Sequence, residues 1–143
     1  QDCDEIWHAG DIGNPKLADE LASYKPFRAV YGNIDGGELR KMYPKNLRFN
    51  IEGLDVWMTH IGGYPKRYDR RVVEEIRKNP PSLFISGHSH ILKAMPDPDL
   101  GLLLLNPGAA GKVGFHQVLT LMRFQIEKGK VENLEVIELE KRA

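Results

Sequence analysis

Apolar residues along this chain fall in short runs, and most of those runs empty into polar stretches containing glycine. Glu5 to Ala9 carries Ile6 and Trp7 and predicts a short strand, followed by Gly10-Asp11-Ile12-Gly13-Asn14, whose glycines suit a sharp turn. Asn14 then caps a helix, Pro15 fits its first position, and Leu17, Ala18, Leu21 and Ala22 form an apolar stripe ending near Ser23. Lys25-Pro26 breaks that helix. Phe27 to Tyr31 predicts a second strand, which delivers another polar glycine loop, Gly32 to Gly37. Strand, loop, helix, strand and loop in this order is the pattern of a parallel α/β sheet.

Leu47 to Glu52 and Leu54 to Thr59, joined at Gly53, predict a hairpin whose second strand ends on His60. The segment Gly62 to Tyr68 follows. Arg70 to Lys78 places Val72, Val73 and Ile76 on one helical face, and Asn79-Pro80-Pro81 stops it. Leu83 to Ser86 predicts a buried strand that runs into Gly87-His88-Ser89-His90. Leu102 to Leu105 and the loop Asn106-Pro107-Gly108 come next, then two strands around Lys128-Gly129-Lys130. In the first of these, Val118, Thr120, Met122, Phe124 and Ile126 alternate with their neighbours, as on a half-buried antiparallel strand. No repeat, low-complexity tract or linker divides the 143 residues, so a single domain is expected.

Charge changes this picture only by exclusion. Lys and Arg total 20 and Asp and Glu total 20, so no excess of positive charge drives binding to a polyanion, and nucleic acid is disfavoured as a partner. The cluster Lys66, Arg67, Arg70 and Arg71 reads as a solvated loop and helix start. A single cysteine, Cys3, rules out an intrachain disulfide and fits a reducing compartment, while the apolar run Leu100 to Leu105 is far too short to cross a bilayer. The expectation is a soluble, cytoplasmic protein with no membrane partner.

Polar and imidazole residues recur at strand ends, where open α/β sheets bind ligands, so Asp11, Asn33, His60, His88 and His90 are candidates to converge on one edge. Each has an ordinary explanation when taken singly: Asp11 and Asn33 as turn or cap residues, His60 as a polar strand end, the two later histidines as hydrogen-bonded loop residues. As a set they are imidazoles, a carboxylate and an amide oxygen without a thiolate, which suits a borderline divalent ion such as Mn²⁺, Fe²⁺, Zn²⁺ or Co²⁺. A carboxylate can bridge two ions, and a two-metal site activates water and stabilises the oxygens of an in-line displacement at phosphorus.

With these residues in place the chain resembles the calcineurin-like metallophosphoesterases, especially their small bacterial and archaeal phosphodiesterase branch. The matching motifs are Gly10-Asp11, Gly32-Asn33-Ile34-Asp35, Thr59-His60, Gly87-His88-Ser89-His90 and Asn106-Pro107-Gly108, in family order. The resemblance implies an α/β fold of four layers, α/β/β/α, with two divalent metal ions at one end. Mn²⁺ is the foremost candidate, with Fe, Zn, Ni or Co as alternatives. It implies that Asp11 bridges both ions, that Asn33, His60 and His88 complete one, and that His90 serves the other. Asp35 is then expected to orient a ligand or loop by hydrogen bonds, and Asn106-Pro107-Gly108 to shape the backbone beside the site. The implied substrate is a small phosphate ester, most naturally a diester.

Two positions depart from the family pattern. Ile34 stands where larger members carry a histidine thought to protonate the leaving group, a feature the small branch commonly lacks. The family's opening Asp-any-His motif does not occur before Gly10-Asp11, so the expectation is an N-terminally incomplete domain whose first strand and helix lie upstream of Gln1. Either a further segment of the protein or another chain, such as a second copy in a homo-oligomer, is then expected to cover the gap. Three other readings compete. The retromer scaffold subunit resembles this fold without catalysis, but has aspartate where this chain has Asn33. Gly87-His88-Ser89-His90-Ile91 comes within one residue of a serine-hydrolase elbow, with Ile91 in place of the last glycine. Nucleases acting on long DNA add a capping region and basic surface absent here. His8 reads as a buried, hydrogen-bonded strand residue, with the edge of the site as the alternative, His116 reads as a loop residue, and Glu38, Tyr64 and Arg67 are loop residues within reach of a substrate only by position.

Overall fold

The computed structural model describes residues 4–10, 15–32, 35–88, 93–107 and 119–139. In chain order the elements are β1 (Ile6–His8), α1 (Pro15–Tyr24), β2 (Phe27–Ala29), α2 (Gly37–Met42), β3 (Asn46–Ile51), β4 (Leu54–Thr59) and the small hairpin β5 (Gly63–Tyr64) and β6 (Arg67–Tyr68). They continue as α3 (Val73–Lys78), β7 (Leu83–Ile85), β8 (Lys93–Asp97), β9 (Leu102–Asn106), β10 (Leu119–Glu127) and β11 (Lys130–Leu139).

One five-stranded sheet, in the order β3-β4-β7-β9-β8, forms the centre. β4, β7 and β9 run parallel, while β3 and β8 flank them antiparallel. The strict two-residue period of β4 sorts its side chains: Leu54, Val56 and Met58 face one core, and Trp57 faces another. Leu83 and Ile85 of β7 join the first core and Phe84 the second. Both faces of these strands are covered, which is why they read as continuous apolar runs.

Over the first face lie Trp7 of β1 and Met122, Phe124, Ile126, Val131 and Leu134 of β10 and β11. Trp7 packs edge-on against Phe49 and Phe124, with ring centroids 5.1 and 5.6 Å away. The pairs β1–β2, parallel, and β10–β11, antiparallel, thus make the second β layer. Outside β1 and β2, Ala18 of α1 and Leu39 of α2 pack on Ala29 with Phe27 and Tyr43, and outside the central sheet α3 places Ile76 against Phe84 and Trp57. The order α/β/β/α is therefore present, as the family resemblance implied.

Glu5 ties the two strands of the outer pair: its Oε1 accepts from Arg28 Nε at 2.7 Å and from Trp7 Nε1 at 2.9 Å. The two β layers are joined at their hairpin tips. Glu52-Gly53 and Lys128-Gly129 are both two-residue turns with positive φ at each position, and the Gly129 N–H donates to the Glu52 carbonyl at 2.9 Å.

Besides the small β5–β6 hairpin, two elements were not expected. α2 begins at Gly37 immediately after Gly36, so Glu38 lies in a helix, not a loop. β8 is a sheet edge, where Pro96 is tolerated because a proline cannot serve a central ladder. Ala22, expected in the buried stripe of α1, is exposed, whereas Ala18 is fully buried.

Candidate metal centre

Three strand ends meet at one edge of the molecule. β4 hands the chain to His60, β7 runs through Ser86 and Gly87 to His88, and β1 runs through Ala9 to Gly10. His60 is the hub of all three. Its ring Nδ1 lies 2.8 Å from the Ala9 carbonyl oxygen, and its own carbonyl accepts from the Gly87 N–H at 2.9 Å. A carbonyl can only accept, so Nδ1 carries the proton and the lone pair of the neutral ring falls on Nε2.

Gly10 makes that approach possible. Its φ is +105°, and a Cβ there would stand 2.5 Å from His60 Nδ1 and 2.7 Å from Cγ. The adjacent turn is held by His8, whose Nδ1 accepts from the Gly10 N–H at 3.1 Å. Any side chain at position 10 would displace either the ring or the turn.

The ring of His88 meets that of His60 edge-on, with centroids 5.2 Å apart and planes at 78°. His88 is exposed and has φ +64°, a conformation costly for a residue with a Cβ unless its surroundings enforce it. The surroundings do so through Gly87: its N–H is held by His60, and its carbonyl accepts from Asn106 Nδ2 at 3.1 Å. Asn106 is buried at the end of β9.

Asp35 is also buried, and it closes a turn. Its Oδ2 accepts from the Gly32 N–H at 2.8 Å, its N–H donates to the Gly32 carbonyl at 3.1 Å, and its carbonyl accepts from Arg40 Nε at 2.8 Å. Of the expected ligands, His60 and His88 are brought together, while Asp11, Asn33 and His90 lie outside the described residues, as do Gly108 and His116. Among the described residues no group of three His, Cys, Asp or Glu side chains is placed to hold a metal. Tyr64 and Arg67 belong to the β5–β6 hairpin, where Lys93 Nζ sits 3.7 Å above the Tyr64 ring.

A feature absent from the sequence reading is a cavity of about 260 Å³ beside His60, lined by Tyr31, Arg40, Lys45, Thr59 and Arg71 among others. The signal for part of it lay in the hairpin register. Once Gly53 is the turn, Asn46 stands opposite Thr59, and Lys45 therefore flanks His60.

Residues 1–129 match the family model described as the calcineurin-like phosphoesterase superfamily domain. Over 114 residues the chain is 31% identical to a probable metallophosphoesterase of Methanothermobacter thermautotrophicus, an alignment covering 76% of this chain and 62% of that protein's length. Among solved structures, an archaeal phosphodiesterase superposes with a TM-score of 0.75 at 20% identity, covering 97% of this chain and 85% of that one. Vps29 of Chaetomium thermophilum superposes with a TM-score of 0.72 at 15% identity, covering 96% and 82%. Zn²⁺-complexed Vps29 of Entamoeba histolytica gives 0.69 at 17% identity, covering 94% and 81%. At these identities the structural likenesses establish the fold.

Proposed function

This chain belongs to the calcineurin-like phosphoesterase superfamily, and from that premise we propose that it is a metal-dependent phosphoric ester hydrolase acting on a small phosphodiester. The observation that carries the proposal is the tethering of His60. A metal-bound histidine characteristically donates its far ring N–H to a carboxylate or backbone carbonyl, which fixes the tautomer and aims the other nitrogen. His60 has that arrangement toward Ala9, with the His88 ring 5.2 Å from its own. The donor chemistry fits a borderline divalent ion.

In this reading Asp11, Asn33, His60, His88 and His90 would hold the two ions, with Asp11 shared between them, Asn33, His60 and His88 serving one and His90 the other. Mn²⁺ is the proposed metal, and the Zn²⁺ complex of the Entamoeba histolytica relative keeps zinc in view beside iron, nickel and cobalt. Bound there, divalent ions supply charge stabilisation at phosphorus and a nucleophile at neutral pH. The protein's own part is positional. Ala9 and Gly10 hold the His60 ring, Asn106 and the His60 carbonyl hold the Gly87-His88 turn, and Asp35 closes the Gly32 turn. Ile34 has no proton to give, so that position offers the leaving group no acid.

The scaffold reading draws on the likeness to Vps29. Asn33, His60, His88 and His90 are the residues a binding surface would have no need to retain together, and they favour the enzyme. A cytoplasmic setting is part of the proposal; no helix among the described residues is long and apolar enough to cross a membrane. The test is hydrolysis of an aryl phosphodiester by the intact protein. Activity that appears with Mn²⁺ and disappears with a chelator is expected. Full activity in excess chelator, or none with any of the five metals, would overturn the proposal.

A further inference from the structure

We propose that the cavity beside His60 is a specificity site for an oxyanion on the far arm of the substrate, so that the preferred diester carries a second phosphate or a carboxylate. This rests on the phosphoesterase reading for its catalytic part, but not for the binding of the anion itself. The cavity gathers three cations, Arg40 from α2, Lys45 from the loop before β3 and Arg71 from the turn before α3, and among the described residues no Asp or Glu lines it. The whole chain has a formal charge of zero, so this is a local concentration and not a reflection of composition. At about 260 Å³ the cavity falls just under the usual range for whole-ligand pockets and suits one part of a ligand.

Arg40 and Arg71 are held through their side chains and Lys45 through its backbone. Arg40 donates from Nε to the Asp35 carbonyl at 2.8 Å, and its guanidinium carbon lies 4.7 Å from the centre of the Tyr31 ring. Lys45 is fixed at the backbone: its carbonyl accepts from Thr59 Oγ1 at 3.4 Å, and the Pro44 carbonyl beside it accepts from the Tyr31 N–H at 3.0 Å. Arg71 is already matched by Asp69, with Nη1 3.1 Å from the carboxylate, so the test is directed at Lys45. His60 belongs both to this wall and to the candidate metal centre, so the cavity adjoins the place where the ester would lie, and in this proposal the far arm enters it.

The test compares p-nitrophenyl phosphodiesters in Mn²⁺ at low ionic strength, with an alkyl arm that is neutral or ends in phosphate or in carboxylate. We expect kcat/KM to favour the anionic arms by about tenfold, chiefly through KM, and the preference to shrink as salt is raised. Lys45→Gln should cut that ratio by about five- to tenfold, and Lys45→Arg should restore it. An unchanged ratio in Lys45→Gln overturns the proposal, as does a wild-type protein indifferent to the arm. Binding of inorganic pyrophosphate in excess chelator gives a readout independent of turnover. Weaker binding by Lys45→Gln, recovered in Lys45→Arg, supports the site, and equal binding by all three proteins refutes it. If neither diester is hydrolysed while pyrophosphate binding still depends on Lys45, the anion site stands and the catalytic reading falls.

Discussion

The carboxyl ends of β4 and β7 and the C-terminal hairpin β10–β11 both hold residues in the left-handed conformation, for opposite reasons. In the hairpin the cause is local. Lys128, at φ +52°, occupies a two-residue turn with Gly129, and Asn133, also at φ +52°, sits where the β10–β11 register shifts between Arg123 and Gln125. Turns and bulges of this kind routinely use such conformations, and asparagine tolerates them well. His88, at φ +64°, has no such local pattern: it follows a strand and is braced by His60 and Asn106, 28 and 18 residues away in sequence. Strain maintained by tertiary contacts is what the proposed role of His88 as a ligand calls for.

The contrast extends to the polar groups. At the strand ends His60, Ser86 and Asn106 are buried, and among the described residues no buried side-chain N or O atom lacks a hydrogen bond. In the hairpin the polar contacts lie toward solvent, as with Arg123 Nη2 at 2.7 Å from Glu135 Oε2 across the strands. Substitutions should separate the two regions sharply. Phe84→Ala removes a fully buried ring behind the strand ends, and a loss of about 3–5 kcal/mol in denaturant-measured stability is expected. A loss below about 1 kcal/mol would mean that the sheet does not hold the edge rigidly.

Gly10→Ala comes next, because it presses on the His60 ring without emptying the core. We expect metal-dependent activity to fall by about 10- to 100-fold, the scale of a disturbed supporting contact. Activity at the wild-type level would detach Gly10 from the site. The smallest effect belongs to the hairpin. A double-mutant cycle on Arg123 and Glu135, whose side chains are 38% and 55% exposed, should give a coupling below about 1 kcal/mol that fades with salt. A larger, salt-independent value would erase the contrast.

Much of this was legible from the pattern of residues, and its limits have physical causes. β4 and β7 declared themselves because both faces are buried, and the two hairpins because glycine follows a residue that must turn. α2 was hidden because it has six residues, starts at the second of two glycines and buries only Leu39. β8 was hidden because an edge strand with exposed Ala94, Met95 and Pro96 has no apolar signal to display. At the site, a histidine ending a strand pointed to His60, and a glycine before histidine at a strand end pointed to His88. The cavity was not visible, since Arg40, Lys45 and Arg71 come from distant parts of the chain and Lys45 comes beside His60 only when β3 pairs with β4.

The central claim is that the strand-end histidines bind a catalytic metal. Titration of the intact protein with Mn²⁺, wild type against His60→Ala, tests it most directly. The account predicts a loss of affinity of more than about a hundredfold in the variant, with hydrolysis lost in parallel. Equal Mn²⁺ affinity in a folded His60→Ala protein would contradict it.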